Sequence, residues 1–164
     1  DLAQLIAKAY RADMVPAVRI DGTSDTIELA SHPVGDVVGR AMVMGCASYD
    51  YTKHTIRTKG QHVGHITYSA AGRTTDPIHA AAWAARGASV AVVVTRGCYR
   101  EIMTLGLAGF VDGDAHDYRA SDPAGAIVVL YAKGDAVKSD GSRGFVYNLD
   151  RLLAFADSMA LAAV

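Results

Sequence analysis

Apolar positions along the chain switch between two periods. Leu2, Leu5, Ile6, Ala9 and Tyr10 recur at helical spacing, with Lys8 and Arg11 late in the segment, where a helix dipole favours cations. Leu2 to Ala12 therefore reads as a helix, and Pro16 bars its continuation. Ala17 to Ile20 reads as a short strand running into a polar loop, Asp21 to Asp25. Val34 to Val43 has helical character, weakened by Gly35 and Gly39. Further strands are expected at Ala47 to Tyr51 and Gly64 to Ser69, with a polar loop from Lys53 to Gln61. Asp76 can cap a helix that takes Pro77 at its first position, runs through Ile78 to Arg86 and stops at Gly87. Ala88 to Val94 and Ala126 to Tyr131 are apolar on both faces, as in strands covered by helices. A short helix at Tyr99 to Leu105, a brief strand at Phe110-Val111 and a terminal helix at Leu149 to Leu161 complete the pattern.

Strands alternating with helices, two of them continuously apolar, predict an α/β fold with a parallel sheet. The whole chain, residues 1 to 164, reads as one α/β domain with no repeat or linker, a size one core can serve. An open sheet and part of a (β/α) barrel share this pattern, and in both the chemistry gathers at the carboxyl ends of strands. The chain opens at Asp1 rather than Met, which fits the carboxyl-terminal part of a larger barrel.

Composition narrows the partners. The net charge is −1, and neither half is basic: 8 basic and 8 acidic residues lie up to Ala82, 8 and 9 after it. Bulk charge thus predicts no general affinity for nucleic acid or anionic membranes. No apolar stretch suits a membrane span and no secretory leader opens the chain. Cys46 and Cys98 form neither a metal cluster nor a disulfide framework, so a reducing, cytoplasmic setting is expected. Both read as packing residues, as does Trp83 on its helix. Of 17 acidic residues 15 are Asp, a turn and ligand residue, which places the acids mainly in loops.

The densest constellation is Asp112-Gly113-Asp114-Ala115-His116-Asp117-Tyr118-Arg119, with Asp122 close behind. Two readings stand. Asp112 and Asp114 could hold Mg²⁺ or Mn²⁺, or Asp112, Asp114 and Asp117 could supply acid–base groups, with Gly113 turning the backbone. Alternatively the carboxylates cap turn amides and Arg119 pairs with them. Arg19 and Asp21 share a strand face, and Thr23, Ser24 and Asp25 follow on a loop that suits a phosphate or carboxylate, or simply caps itself. It is not a P-loop, because no Gly-Lys-Ser/Thr follows. Tyr49-Asp50-Tyr51-Thr52-Lys53 sets Asp50 opposite its tyrosines and ends on Lys53, a partner for a substrate anion or for Asp50. His54, Arg57, Lys59, His62 and His65 make a local basic run, either a nucleic-acid contact or a solvated loop. Ser69 is a weak nucleophile candidate without a Gly-x-Ser-x-Gly elbow. Lys133 is a charge at a strand end.

The ordered set Arg19, Gly22 to Asp25, Tyr49 to Lys53, Thr67, Ser69, Gly87 to Val93, Asp112 to Asp114, Asp117, Arg119, Asp122, Lys133-Gly134 and Gly144 to Val146 resembles a family of uncharacterised phage- and plasmid-encoded proteins. That family is similar in layout to barrel proteins of the radical S-adenosylmethionine type and carries a cysteine-rich segment upstream. The resemblance implies a TIM-barrel-like scaffold. Cys46 and Cys98 alone cannot hold an iron–sulfur cluster, so none is expected within this chain.

These readings converge on an enzyme domain that binds an anionic small molecule or nucleotide at the strand carboxyl ends. Arg19, Lys53, Arg119 and Lys133 would contact the anion, with Thr23, Ser24, Asp25 and Ser69 nearby, and Asp50, Asp112, Asp114 and Asp117 would do the chemistry. The alternative is a non-catalytic accessory protein that binds nucleic acid or a host protein through Lys53 to His65. A partial barrel would also expose strand edges, which predicts a homo-oligomer or a missing amino-terminal half.

Overall fold

The computed structural model describes residues 2–19, 39–53, 64–134 and 144–162. In chain order it contains α1 (Leu2–Arg11), β1 (Ala17–Arg19), β2 (Ala47–Thr52), β3 (His65–Ser69), α2 (Asp76–Ala84), β4 (Ser89–Val94), α3 (Arg96–Leu105), β5 (Phe110–Asp112), a 3₁₀ turn (Arg119–Ser121), β6 (Ile127–Tyr131), β7 (Val146–Tyr147) and α4 (Leu149–Ala162). Residues 39–43 are also helical. The predicted α/β parallel fold is the fold observed. The rest of the Val34 segment, the loop with Thr23, Ser24 and Asp25, and the basic run at His54, Arg57, Lys59 and His62 lie outside the described residues.

The strands run in the order β1-β2-β3-β4-β6-β5, and every pair is parallel. β4 is the central strand because it is apolar enough to be buried on both sides. Its residues from Val90 to Val94 pair with β6 along one edge. The other edge is shared: Ser89 to Ala91 face β3, then Val93 and Val94 face β7. β3 thus leaves the sheet after Ala70, and β7 takes the vacated place. The crossing point is tight. Gly72 has φ +81°, and a Cβ on it would run into the carbonyl of Gly144.

Register assigns the side chains to two faces. On the outer face, Ile66, Tyr68, Val90, Val92, Val94, Ile127 and Val129 meet Ala80 and Trp83 of α2, Cys98 and Ile102 of α3, and Leu152 and Phe155 of α4. A smaller cluster joins Ile6 of α1, Ala41 and Cys46. Cys46 and Cys98 are buried there, and burial pushes both thiols up, Cys98 to about 11, so they are packing groups rather than nucleophiles. Trp83 is core, as its helical position predicts.

The inner face is covered differently. α3 carries the chain along the outer face from β4 to β5, beyond the place that β6 then fills. The return from β5 to β6 runs over the inner face through the 3₁₀ turn, which packs on β2 and β3. Travel in opposite directions on opposite faces gives both crossovers the same hand, as parallel sheets require.

Candidate functional site

The carboxyl ends of the strands form one rim, and a cation stands at most of its exits. Arg19 ends β1, Lys53 follows β2, Arg73 follows the turn after β3, Arg96 opens α3 directly after β4, and Lys133 follows β6; all five are exposed. Arg73 Nη1 donates to the Lys53 carbonyl at 3.3 Å, tying neighbouring exits together. Arg96 and Lys133 both approach the Tyr131 ring, at 5.9 and 4.7 Å from its centroid. Arg19 lies 4.6 Å over the Tyr51 ring.

The Asp-rich segment is organised by its own backbone. Asp112 Oδ1 accepts from the Tyr99 hydroxyl at 2.6 Å and from the Asp114 and Ala115 amides at 2.9 and 3.2 Å. Burial pushes the Asp112 carboxyl up, but these three bonds outweigh it and hold the group below its ordinary value. The same contact, with burial first, pushes Tyr99 up to about 12. Asp114 Oδ2 accepts from the Tyr131 amide at 2.9 Å, and Oδ1 from Lys133 Nζ at 2.5 Å. The geometry is that of turn capping. Gly113 serves close packing rather than an unusual turn: a Cβ there would stand 2.7 Å from Val128 Cγ1 and Leu130 Cδ2. Among the described residues no group of three or more His, Cys, Asp or Glu is arranged to hold a metal ion. Cation binding at Asp114 would have to displace the Tyr131 amide and Lys133.

Asp117 leaves that turn and crosses to the far end of the sheet. Its Oδ2 lies 3.5 Å from Arg19 Nη1 and accepts from the Tyr49 hydroxyl at 3.4 Å. The ring of Tyr118 meets that of Tyr49 edge-on at 5.9 Å. Asp117 and Arg19 therefore share the rim, whereas Asp50 does not join them. Asp50 is buried on the outer face, in register with Ile66, and accepts from the Tyr51 amide at 2.8 Å. Ser69 sits half-buried on the inner face, in register with Ala91. No imidazole or carboxylate among the described residues is hydrogen-bonded to it, so the set-up of an activated serine is not formed there.

Arg119 is placed quite unlike a substrate contact. It is fully buried beneath the inner face with Asp122, Nη1 to Oδ2 at 3.2 Å. The N–H is not aimed at that oxygen, so Arg119 Nε and Nη1 and Asp122 Oδ2 lack hydrogen bonds. Arg119 Nη2 donates to the His116 carbonyl and lies 3.1 Å from His116 Nδ1. Beside this pair, Ser89 Oγ lies 3.0 Å from His65 Nε2 and 2.9 Å from Thr67 Oγ1. Burial pushes Asp122 up against the pull of Arg119, and burial pushes His65 down. Burial likewise raises Tyr51 to about 12.

Thr95-Arg96 is expected from the sequence as a polar strand end, but the helix there starts earlier than Tyr99, because Thr95 Oγ1 accepts from the Cys98 amide at 3.3 Å and caps α3. Two further groups at the rim escape sequence reading. Arg151 lies on the terminal helix, where nothing in the local pattern marks it. Asp76 does more than open a helix: fully buried, it accepts from the Tyr68 hydroxyl at 2.7 Å and from the Ala71 and Arg73 amides, both at 2.8 Å.

Fold and rim together define an α/β protein of the parallel-sheet class with a cationic carboxyl end. By sequence the chain belongs to the gene product 88 family, whose model matches residues 1–149, and this fits the phage-type family that the motifs resemble. No curated protein and no solved structure matches it. No helix among the described residues is long and apolar enough to cross a membrane.

Proposed function

We propose that the chain is an enzyme domain that binds an anionic small molecule or nucleotide at the carboxyl rim of its sheet. The supporting observation is the run of exposed cations Arg19, Lys53, Arg73, Arg96 and Lys133 at successive strand exits. Like charges so placed repel one another, whereas a phosphate or carboxylate ligand is held by them. The acids near the rim offset this in part, since Asp117 pairs with Arg19 and Asp114 with Lys133. Asp112 is spent on backbone amides and Asp76 is buried, and among the described residues Arg73 and Arg96 have no carboxylate within salt-bridge distance. Among the described residues Asp117 is the exposed carboxylate at the rim, and its position beside Arg19 and Tyr49 supports assigning it the proton transfer.

The described helices pack on one face of the sheet, which is the layering of a (β/α) barrel, and the inner face carries polar side chains at Thr67, Ser69 and Ser89 beside apolar ones on β4 and β6. Part of a barrel of the radical S-adenosylmethionine layout is the scaffold we infer. The reading is tested by thermal shift against nucleotides, sugar phosphates and dicarboxylates. At a concentration about 100 times Kd, a bound ligand adds about 2.7 kcal/mol and raises the melting temperature. Lys53→Ala with Arg19→Ala should abolish the shift. No shift with any anion at millimolar concentration would sink the proposal.

A further inference from the structure

Where β3 leaves the sheet and β7 enters, a cleft of about 230 Å³ opens between α2 and α4. Arg73, Thr74 and Ser158 line it with Arg151, over a floor of Tyr147 and Phe155. Arg151 is held in place from two sides: Nη2 donates to the Gly72 carbonyl at 3.2 Å, and the guanidinium lies 4.3 Å over the Tyr147 ring. Its backbone is fixed as well, since its amide donates to Asn148 Oδ1 at 2.9 Å at the start of α4. Arg73 is steered by the Lys53 carbonyl, and its own amide is fixed by Asp76. Among the described residues neither guanidinium has a carboxylate partner within salt-bridge distance. The acid nearest Arg73 in sequence, Asp76, is consumed by Tyr68 and two amides.

We propose that this cleft is a phosphate site, in which Arg73 and Arg151 grip the phosphoryl group of a small phosphate ester. Two pre-positioned guanidinium forks suit a tetrahedral oxyanion better than a planar carboxylate, since each can donate to a different pair of oxygens. The hydroxyls of Thr74 and Ser158 add neutral donors, and the more accessible Pro77 and Ala154, which also line the cleft, offer apolar surface to the body of the ester. The site deepens the rim reading by naming the ligand's anionic group. It rests on that reading for the ligand, not for the cleft itself. The cleft joins the rim through the bond between Arg73 and Lys53.

The test is titration calorimetry of the full chain with inorganic phosphate, ribose 5-phosphate and acetate at matched ionic strength. Ribose 5-phosphate should bind more tightly than inorganic phosphate, and acetate least. Arg151→Gln should weaken both phosphate probes by about tenfold or more, the effect of losing one charge-assisted contact. Arg73→Gln should weaken them less, because Arg73 is exposed. Should Arg151→Gln misfold for want of its Gly72 anchor, Ser158→Glu puts a carboxylate in the cleft without removing an anchor, and should abolish binding. Phosphate binding that survives Ser158→Glu and Arg73→Gln but is lost in Arg19→Ala/Lys53→Ala overturns the cleft and leaves the rim reading standing. No binding of either phosphate probe overturns the cleft, and if other anions also fail the rim reading falls with it. Acetate binding as tightly as phosphate also overturns the proposal.

Discussion

Val90, Val92 and Val94 point from β4 into a layer of helices, while Ser89, one step along the same strand, bonds His65 and Thr67 on the inner face. The outer face is closed by three helices that bring Trp83, Ile102, Leu152 and Phe155. The inner face is closed in part by a return loop that brings a guanidinium, a carboxylate and an imidazole. Burial by the first route is favourable residue by residue. Burial by the second is costly unless every polar group is satisfied, and here three atoms of the Arg119–Asp122 pair are not. The two faces therefore divide the work: one supplies stability, while the other pins the return loop across β2 and β3 so that Asp117 reaches Arg19.

The largest effect should come from the outer face. Trp83 is 3% exposed, and Trp83→Ala should cost about 3–5 kcal/mol in urea unfolding. A loss under about 1 kcal/mol would mean that the helical layer does not carry the fold. The inner face should behave non-additively. Arg119→Met leaves Asp122 buried without its partner and should cost about 3 kcal/mol, whereas Arg119→Met/Asp122→Leu should return to within about 1 kcal/mol of the starting protein. If the double variant is as unstable as the sum of its singles, the pair is not a coupled polar insert and the contrast between the faces breaks down. Next in size is Asp112→Asn, which weakens three hydrogen bonds at the end of β5 and should cost about 1–2 kcal/mol. Proton exchange at the Asp114 and Ala115 amides should quicken with it; unchanged protection would show that the carboxylate does not order the turn.

Much of this contrast could be read from the chain, and the limit is physical. β4 and β6 were visible because an unbroken apolar run admits little else, and α2 because Pro77 fixes its first turn. The edges moved only slightly, α3 most, where Thr95 rather than Tyr99 starts the helix. β7 and the 3₁₀ turn escaped because two or three residues show no period. The order of β5 and β6 and the face taken by the return loop escaped because they are set by packing between distant segments. That is also why Asp50 and Arg119, polar residues in plausible spacings, turned out to lie under the surface, while Arg73 and Arg151, 78 positions apart, share a cleft. The turn-capping alternative for Asp112 and Asp114 was legible, since short-range bonding to the backbone is what Asp does in turns.

The smallest effect separates the two regions by sign rather than by size. Asp112 is held below its ordinary value of 3.8: burial pushes it up, but the Tyr99 hydroxyl and two amides prevail. The folded state therefore gives up this proton more readily than the unfolded chain. The stability that Asp112 contributes is present above the unfolded value and is lost as pH falls through the folded one. Asp122 is raised above 3.8, chiefly by burial. There the folded state holds the proton longer, so stability falls as pH rises from 3.8 through the folded value. Unfolding free energies of the parent chain, Asp112→Asn and Asp122→Asn, followed from pH 3 to 7, turn this into two difference curves. Parent minus Asp112→Asn should rise with pH; parent minus Asp122→Asn should fall. Two curves of the same slope would show that the inner face solvates its carboxylate as well as the turn does, and the distinction between a satisfied and an unsatisfied acid would be lost.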